Sequence, residues 1–205
     1  MIYDLTPPAS ESLAVWPGDT PLSRDVLLDI GKGDTITLSM IRATVHLGAH
    51  ADAPSHYGAG ARTIDQQPIE PYLGRCQVVT AAATRGERFG EPDLAAPITE
   101  PRVLIRTETF PDPTRFNKDF AALAPELMDS LAAGGAILVG VDTPSVDLFD
   151  SKDLPTHRSA LKNNVALLEG LTFTNVADGV YELIALPLKL VGFDASPVRA
   201  ILRTI

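Results

Sequence analysis

Three of the chain's four histidines and one aspartate are packed into His46-Leu47-Gly48-Ala49-His50-Ala51-Asp52-Ala53-Pro54-Ser55-His56. His46 and His50 are four residues apart, so one helical turn or a tight loop can aim both imidazoles at one point. Asp52 adds a hard oxygen donor two residues later. Two nitrogens and one oxygen make an open site for zinc or a similar borderline ion. Gly48 lets the backbone pass close to an ion, and Pro54 biases Ala53 towards extended geometry, so the segment reads as a metal-binding loop. A lone H-x-x-x-H pair is more often a hydrogen-bonded core or surface pair. Asp52 and His56, in a chain with so few histidines, turn the balance to metal.

The remaining histidine is His157, in Leu154-Pro155-Thr156-His157-Arg158, and reads as a loop residue. Glu169 follows the apolar run Val165-Ala166-Leu167-Leu168 at a strand end. It either reaches solvent there or is a buried carboxylate that needs a cation or partner. Beside an incomplete metal site, the ligand role is the better reading. His46, His50, Asp52, His157 and Glu169 are one ligand too many for a single tetrahedral ion with an open position. Five ligands with two carboxylates suit a pair of ions bridged by a carboxylate and a hydroxide. His56 is left over and is suited to carry a proton, with an unperturbed pKa of about 6.5.

These residues must be positioned by short elements, because 17 prolines and 15 glycines imply many fixed turns. Strands are predicted at 2–5, 76–81, 102–107, 136–141, 180–188 and 198–205. A hairpin is expected from 26–30 and 35–43, with Ile36, Leu38 and Met40 alternating as in a half-buried strand that leads into His46. Residues 84–101 read as mostly loop. The clearest helix is 125–133, opened by Pro125, with Leu127 and Leu131 on one face, and closed by Gly134-Gly135. Strand–helix–strand order argues for mixed α/β layering. Trp16, in the proline-rich loop 6–21, is either a core plug or the wall of an aromatic pocket.

Composition limits the function classes. The 205 residues fit one domain, 1–205, and 45% hydrophobic with 21% charged residues is a globular balance. A net charge of −9 argues against a nucleic-acid surface. Cys76 is the only cysteine, which rules out an internal disulfide or a thiolate zinc cluster. The first residues carry no basic region or apolar run of a signal peptide, and no stretch approaches the roughly 20 apolar residues of a membrane span, so a cytoplasmic protein is expected.

The histidine cluster resembles the signature of the cyclase-type metal-dependent hydrolases and, more narrowly, of the bacterial kynurenine formamidases (arylformamidases). The likeness extends to Trp16-Pro17-Gly18-Asp19, Tyr72-Leu73-Gly74-Arg75-Cys76, Gly140-Val141-Asp142-Thr143-Pro144-Ser145-Val146-Asp147, Leu154-Pro155-Thr156-His157, Glu169 and Ile184-Ala185-Leu186-Pro187-Leu188-Lys189-Leu190. Many relatives carry Thr where this chain has Ala49, which is not a ligand position. The resemblance implies an α/β fold of the swivelling β/β/α kind, a mixed sheet with few helices. It also implies two Zn2+ per chain, with Mn2+ the alternative, on His46, His50, Asp52, His157 and Glu169. His56 would be the acid/base and Trp16 a substrate-pocket residue. The implied reaction is hydrolysis of N-formyl-L-kynurenine, with a hydroxide held by the ions as nucleophile, in a homodimer or larger homo-oligomer. An isatin-hydrolase-like lactamase using manganese and a non-catalytic metal-stabilised binding protein are the alternatives. Ser145 and Thr143 are candidates for the substrate's amino-acid end, with turn roles weighed equally.

Overall fold

The computed structural model describes residues 1–205. One mixed sheet runs in the order β1 (Ile2–Asp4), β13 (Ile201–Arg203), β11 (Gly179–Ile184), β5 (Leu73–Thr80), β7 (Arg102–Arg106), β9 (Leu138–Val141), β10 (Ala166–Glu169), β4 (His50–Asp52) and β12 (Ala195–Pro197). The four central strands β5, β7, β9 and β10 are parallel. The outer strands pair antiparallel on both sides. Apart from the sheet lie the hairpin β2 (Ser23–Leu28) and β3 (Leu38–Arg42) and the short pair β6 (Arg88–Phe89) and β8 (Ala122–Leu123). Two helices, α1 (Pro125–Ala133) and α2 (Pro155–Asn163), complete the chain. The α/β class, with a mixed sheet and few helices, is as expected from the sequence.

Successive side chains on a strand point to opposite faces, and here both faces are covered. Val78, Leu104, Leu138 and Leu168 enter a core with Leu5, Tyr72 and Leu183. Their neighbours Val79, Ile105, Val139 and Leu167 meet Leu127, Met128 and Leu131 of α1 and Ala160 of α2. Parallel strands buried on both faces read as unbroken apolar runs, which is why 136–141 is recognisable as a strand.

Helix α1 has the bounds its proline and glycines predict. Helix α2 corrects the sequence reading, which placed His157 in a loop. Its buried residues are Thr156, His157, Ser159 and Ala160, a nearly polar inner face with no apolar stripe to detect. The local marks were Pro155 at its first position and Asn164, left-handed at φ 54°, just past its end. The β2–β3 hairpin also differs from expectation. All of β3 is exposed, so the alternation of Leu38 and Met40 faces no core. Strand β11 stops at Ile184 rather than at 188, and the last strand is shortened to Ile201–Arg203. No helix is long and apolar enough to cross a membrane.

Candidate metal centre and active site

The site is built on the β4–β10 pair. Antiparallel register sets His50 opposite Glu169 and Asp52 opposite Leu167. His50 and Asp52 are two residues apart on a strand, so they share a face with Glu169, the face towards α2. The working period in the histidine motif is therefore 2, that of a strand, and not the four-residue spacing of His46 and His50. Pro54 then starts a 3-10 turn, Pro54–His56, that carries His56 back over the site. Two glycines let the segments meet. Gly48 has φ 57°, and its carbonyl lies 2.8 Å from His50 Nδ1. A Cβ on Gly170, at φ 67°, would stand 2.2 Å from that same carbonyl oxygen.

All five expected ligands converge. Asp52 Oδ1 lies 3.1 Å from His46 Nδ1 and 3.5 Å from His50 Nε2, while Oδ2 lies 3.4 Å from His157 Nε2. Glu169 divides in the same way, with Oε2 3.4 Å from His50 Nε2 and Oε1 3.4 Å from His157 Nε2. Each carboxylate thus turns its two oxygens towards different histidines. Both oxygens of Asp52 and Nε2 of His50 are buried without a hydrogen-bond partner. Leaving such atoms unpaired is costly, and bound divalent cations would satisfy all three. The donor set, imidazoles and carboxylates, suits zinc or manganese. Asp52 belongs both to a His46–Asp52–His56 group and to a His50–Asp52–Glu169 group, each compact enough for one ion. His56 therefore stands close enough to be a ligand.

The sequence reading missed the residues behind the histidines. Asp147 Oδ2 sits 2.8 Å from His157 Nδ1 and accepts the backbone N–H groups of Thr156 and His157. It therefore caps the N-terminus of α2 and fixes the imidazole on it. Arg88 closes the network, donating to Asp147 Oδ1 at 2.7 Å, to Thr156 Oγ1 and to the Leu123 carbonyl. Asp147 ends the segment Gly140–Asp147, where nothing in its neighbours marks it as a partner of His157. Asp194, 3.0 Å from His46 Nε2 and 3.4 Å from His56 Nδ1, gave no signal at all, being one acid in a loop 138 residues or more from its partners. Thr143 and Ser145 have turn roles: Thr143 Oγ1 donates to the Ser145 carbonyl, and Ser145 Oγ accepts from Asp147 N–H.

A cavity of about 600 Å³ opens over the centre, and His46, His50, His56, His157 and Glu169 line its floor. Trp16 is in its wall with Phe110, Phe116 and Phe193. Its indole stacks on Phe149 at 4.9 Å and meets Phe116 edge-on at 5.5 Å. Trp16 thus both lines the cavity and packs against phenylalanines.

The sequence profile of the Cyclase family matches residues 3–148. The chain belongs to the Cyclase family. Among solved structures it is similar to one described as a potential metal-dependent hydrolase with cyclase activity, at 30% identity and a TM-score of 0.84, over 98% of this chain and 96% of that one. A metal-dependent hydrolase from Bacillus stearothermophilus, so described from prediction, matches at 29% identity and 0.83, over 98% and 97%. Isatin hydrolase A from Labrenzia aggregata matches at 22% and 0.82, over 98% and 93%, a likeness of fold.

Carboxylates dominate the electrostatics of this cyclase-family site. Burial would push the His46 imidazole down, but the hydrogen bond and charge of Asp52, joined by Asp194, push it up to about 9. His157 is likewise held well above its ordinary value, as Asp147, Asp52 and Glu169 outweigh burial. Burial opposes ionisation of Asp52, yet His157 and His46 hold its carboxyl well below the usual range. Protons and metal ions compete for such a donor set.

Proposed function

We propose that this cyclase-family protein is a metal-dependent amidohydrolase that cleaves N-formyl-L-kynurenine to L-kynurenine and formate. The observation that carries the reading is the pair of carboxylates, Asp52 facing three histidines and Glu169 two, at the floor of an aromatic-walled cavity. His46, His50, Asp52, His157 and Glu169 would hold two Zn2+ ions, with Mn2+ the alternative. When bound, such a pair polarises the formyl oxygen and supplies an activated water near neutral pH.

The chain's own residues account for the rest. Trp16 offers its indole face to the substrate's aryl ring, an amphipathic surface suited to stacking. His56, with Nδ1 turned to Asp194, keeps Nε2 for the substrate and protonates the departing arylamine nitrogen. The likeness in fold to isatin hydrolases supports the same substrate class, since isatin and a formylated arylamine share an aryl–N–C(=O) unit.

The test is metal quantification on protein purified without added metal, followed by parallel assays with N-formyl-L-kynurenine and an isatin-type lactam. Two ions per chain and preferred cleavage of the formamide are expected. Preference for the lactam would move the assignment to a lactamase. One ion per chain with no hydrolysis of either would leave a metal-stabilised binding protein.

A homodimer is part of this proposal. The β2–β3 hairpin exposes Val26, Leu27, Leu28, Leu38, Met40 and Ile41, and an isolated two-stranded ribbon is marginal in water. A second copy of the chain laid against it would remove that surface from solvent. A chain that sediments as a monomer would exclude it.

A further inference from the structure

We propose that Asp194 is a positioning residue that holds two histidines of the centre at once: His46 through Nε2 and His56 through Nδ1. The backbone fixes where its carboxylate can be. The Asp194 carbonyl accepts the Ala53 N–H at 2.8 Å, and the next residue, Ala195, pairs with Asp52 across β12 and β4. The side chain is thereby registered against the strand that carries the metal-facing carboxylate. From there a single oxygen, Oδ2, stands 3.0 Å from His46 Nε2 and 3.4 Å from His56 Nδ1, and the two rings lie 4.2 Å apart, centroid to centroid.

Chemistry gives that oxygen a purpose. His46 Nδ1 faces Asp52 Oδ1 at 3.1 Å, so Nδ1 is the nitrogen available to a cation. Its lone pair is free only if the ring proton sits on Nε2, and a carboxylate at 3.0 Å keeps it there. His50 has such a partner in the Gly48 carbonyl, and His157 has one in Asp147. Asp194 completes the set. Its ion-pair partners are two site histidines, with no lysine or arginine beside it. For His56 the same oxygen orients the ring so that Nε2 faces the cavity. The role at His56 rests on the amidohydrolase reading, whereas the role at His46 does not.

The experiment is Asp194→Asn, with Asp194→Glu as the conservative variant. Zn2+ affinity is measured by chelator competition, and kcat and KM on N-formyl-L-kynurenine at saturating Zn2+. Asp194→Asn should weaken the more labile Zn2+ by about 10–100-fold and lower kcat by a similar factor at unchanged KM. Asp194→Glu should recover part of both. Wild-type Zn2+ affinity in Asp194→Asn overturns the proposal, and so does wild-type kcat at saturating metal. If the wild-type protein does not cleave the formamide, the functional reading has failed by itself, and the affinity measurement still decides the role of Asp194.

Discussion

The two flanks of the centre are built from the same parts and differ in exposure. On the inner flank, His157 is 3% exposed and backed by a fully buried Asp147, which is itself held by Arg88 and two backbone N–H groups. On the outer flank, His56 is 36% exposed and Asp194 48%, with one contact for each histidine. A carboxylate behind an imidazole thus serves two ends. Buried and fully bonded, it fixes a ring that must not move, and its loss is a loss of structure. Half in solvent, it leaves the ring within reach of water, and its loss costs the fold little.

The sharpest separation is between His56 and Asp147. His56→Ala should lower kcat by about 10²–10⁴ with melting temperature and metal content unchanged, measured by steady-state kinetics and elemental analysis. Loss of metal instead would make His56 a ligand and erase the distinction between the flanks. Asp147→Ala should destabilise the fold by about 3–5 kcal/mol in denaturant titration, since it leaves Arg88 without its carboxylate and the first turn of α2 uncapped. Gly170→Ala comes next, at more than about 1 kcal/mol, because the residue is held at positive φ with the Gly48 carbonyl where a Cβ would be.

A smaller effect is expected with pH. In protein stripped by a chelator, His46 binds its proton more tightly folded, at about 9, than its ordinary 6.5. The stability this contributes is complete below pH 6.5 and is lost as pH rises through about 9. His157 acts in the same direction, while Asp52 and Glu169 act oppositely, below their ordinary 3.8 and 4.5. The melting temperature of stripped protein should therefore fall between pH 6.5 and 9, and zinc-loaded protein should lose that fall, since the ions displace those protons. A flat profile for stripped protein would show that the carboxylates do not hold His46 charged. The smallest effect belongs to Asp194→Ala, which should change folding stability by under about 1 kcal/mol, in contrast to Asp147→Ala, because an exposed ion pair is screened by water.

Much of this arrangement was legible beforehand wherever residue type and local spacing carried the information. The cluster from His46 to His56 named its own chemistry, Pro125 and Gly134-Gly135 bounded α1, and the run at 136–141 announced a strand buried on both faces. Helix α2 was not legible, because its buried face is made of Thr156, His157 and Ser159 and so has no hydrophobic period. The hairpin misled for the converse reason: its alternation is that of a buried strand, but the chain itself supplies no layer to cover it.

By itself the sequence determined which donors this protein owns, because ligand chemistry depends on side-chain type and on neighbours a few residues away. Only the tertiary structure decided that Asp52 faces three histidines and Glu169 two, that Trp16 lines the cavity, and that Asp147 and Asp194 stand behind the imidazoles. Those relations join residues from distant parts of the chain, and the register of β4 against β10 and β12 sets those of Asp52, Glu169 and Asp194. Strand register is set by the packing of the whole sheet, which local spacing does not encode.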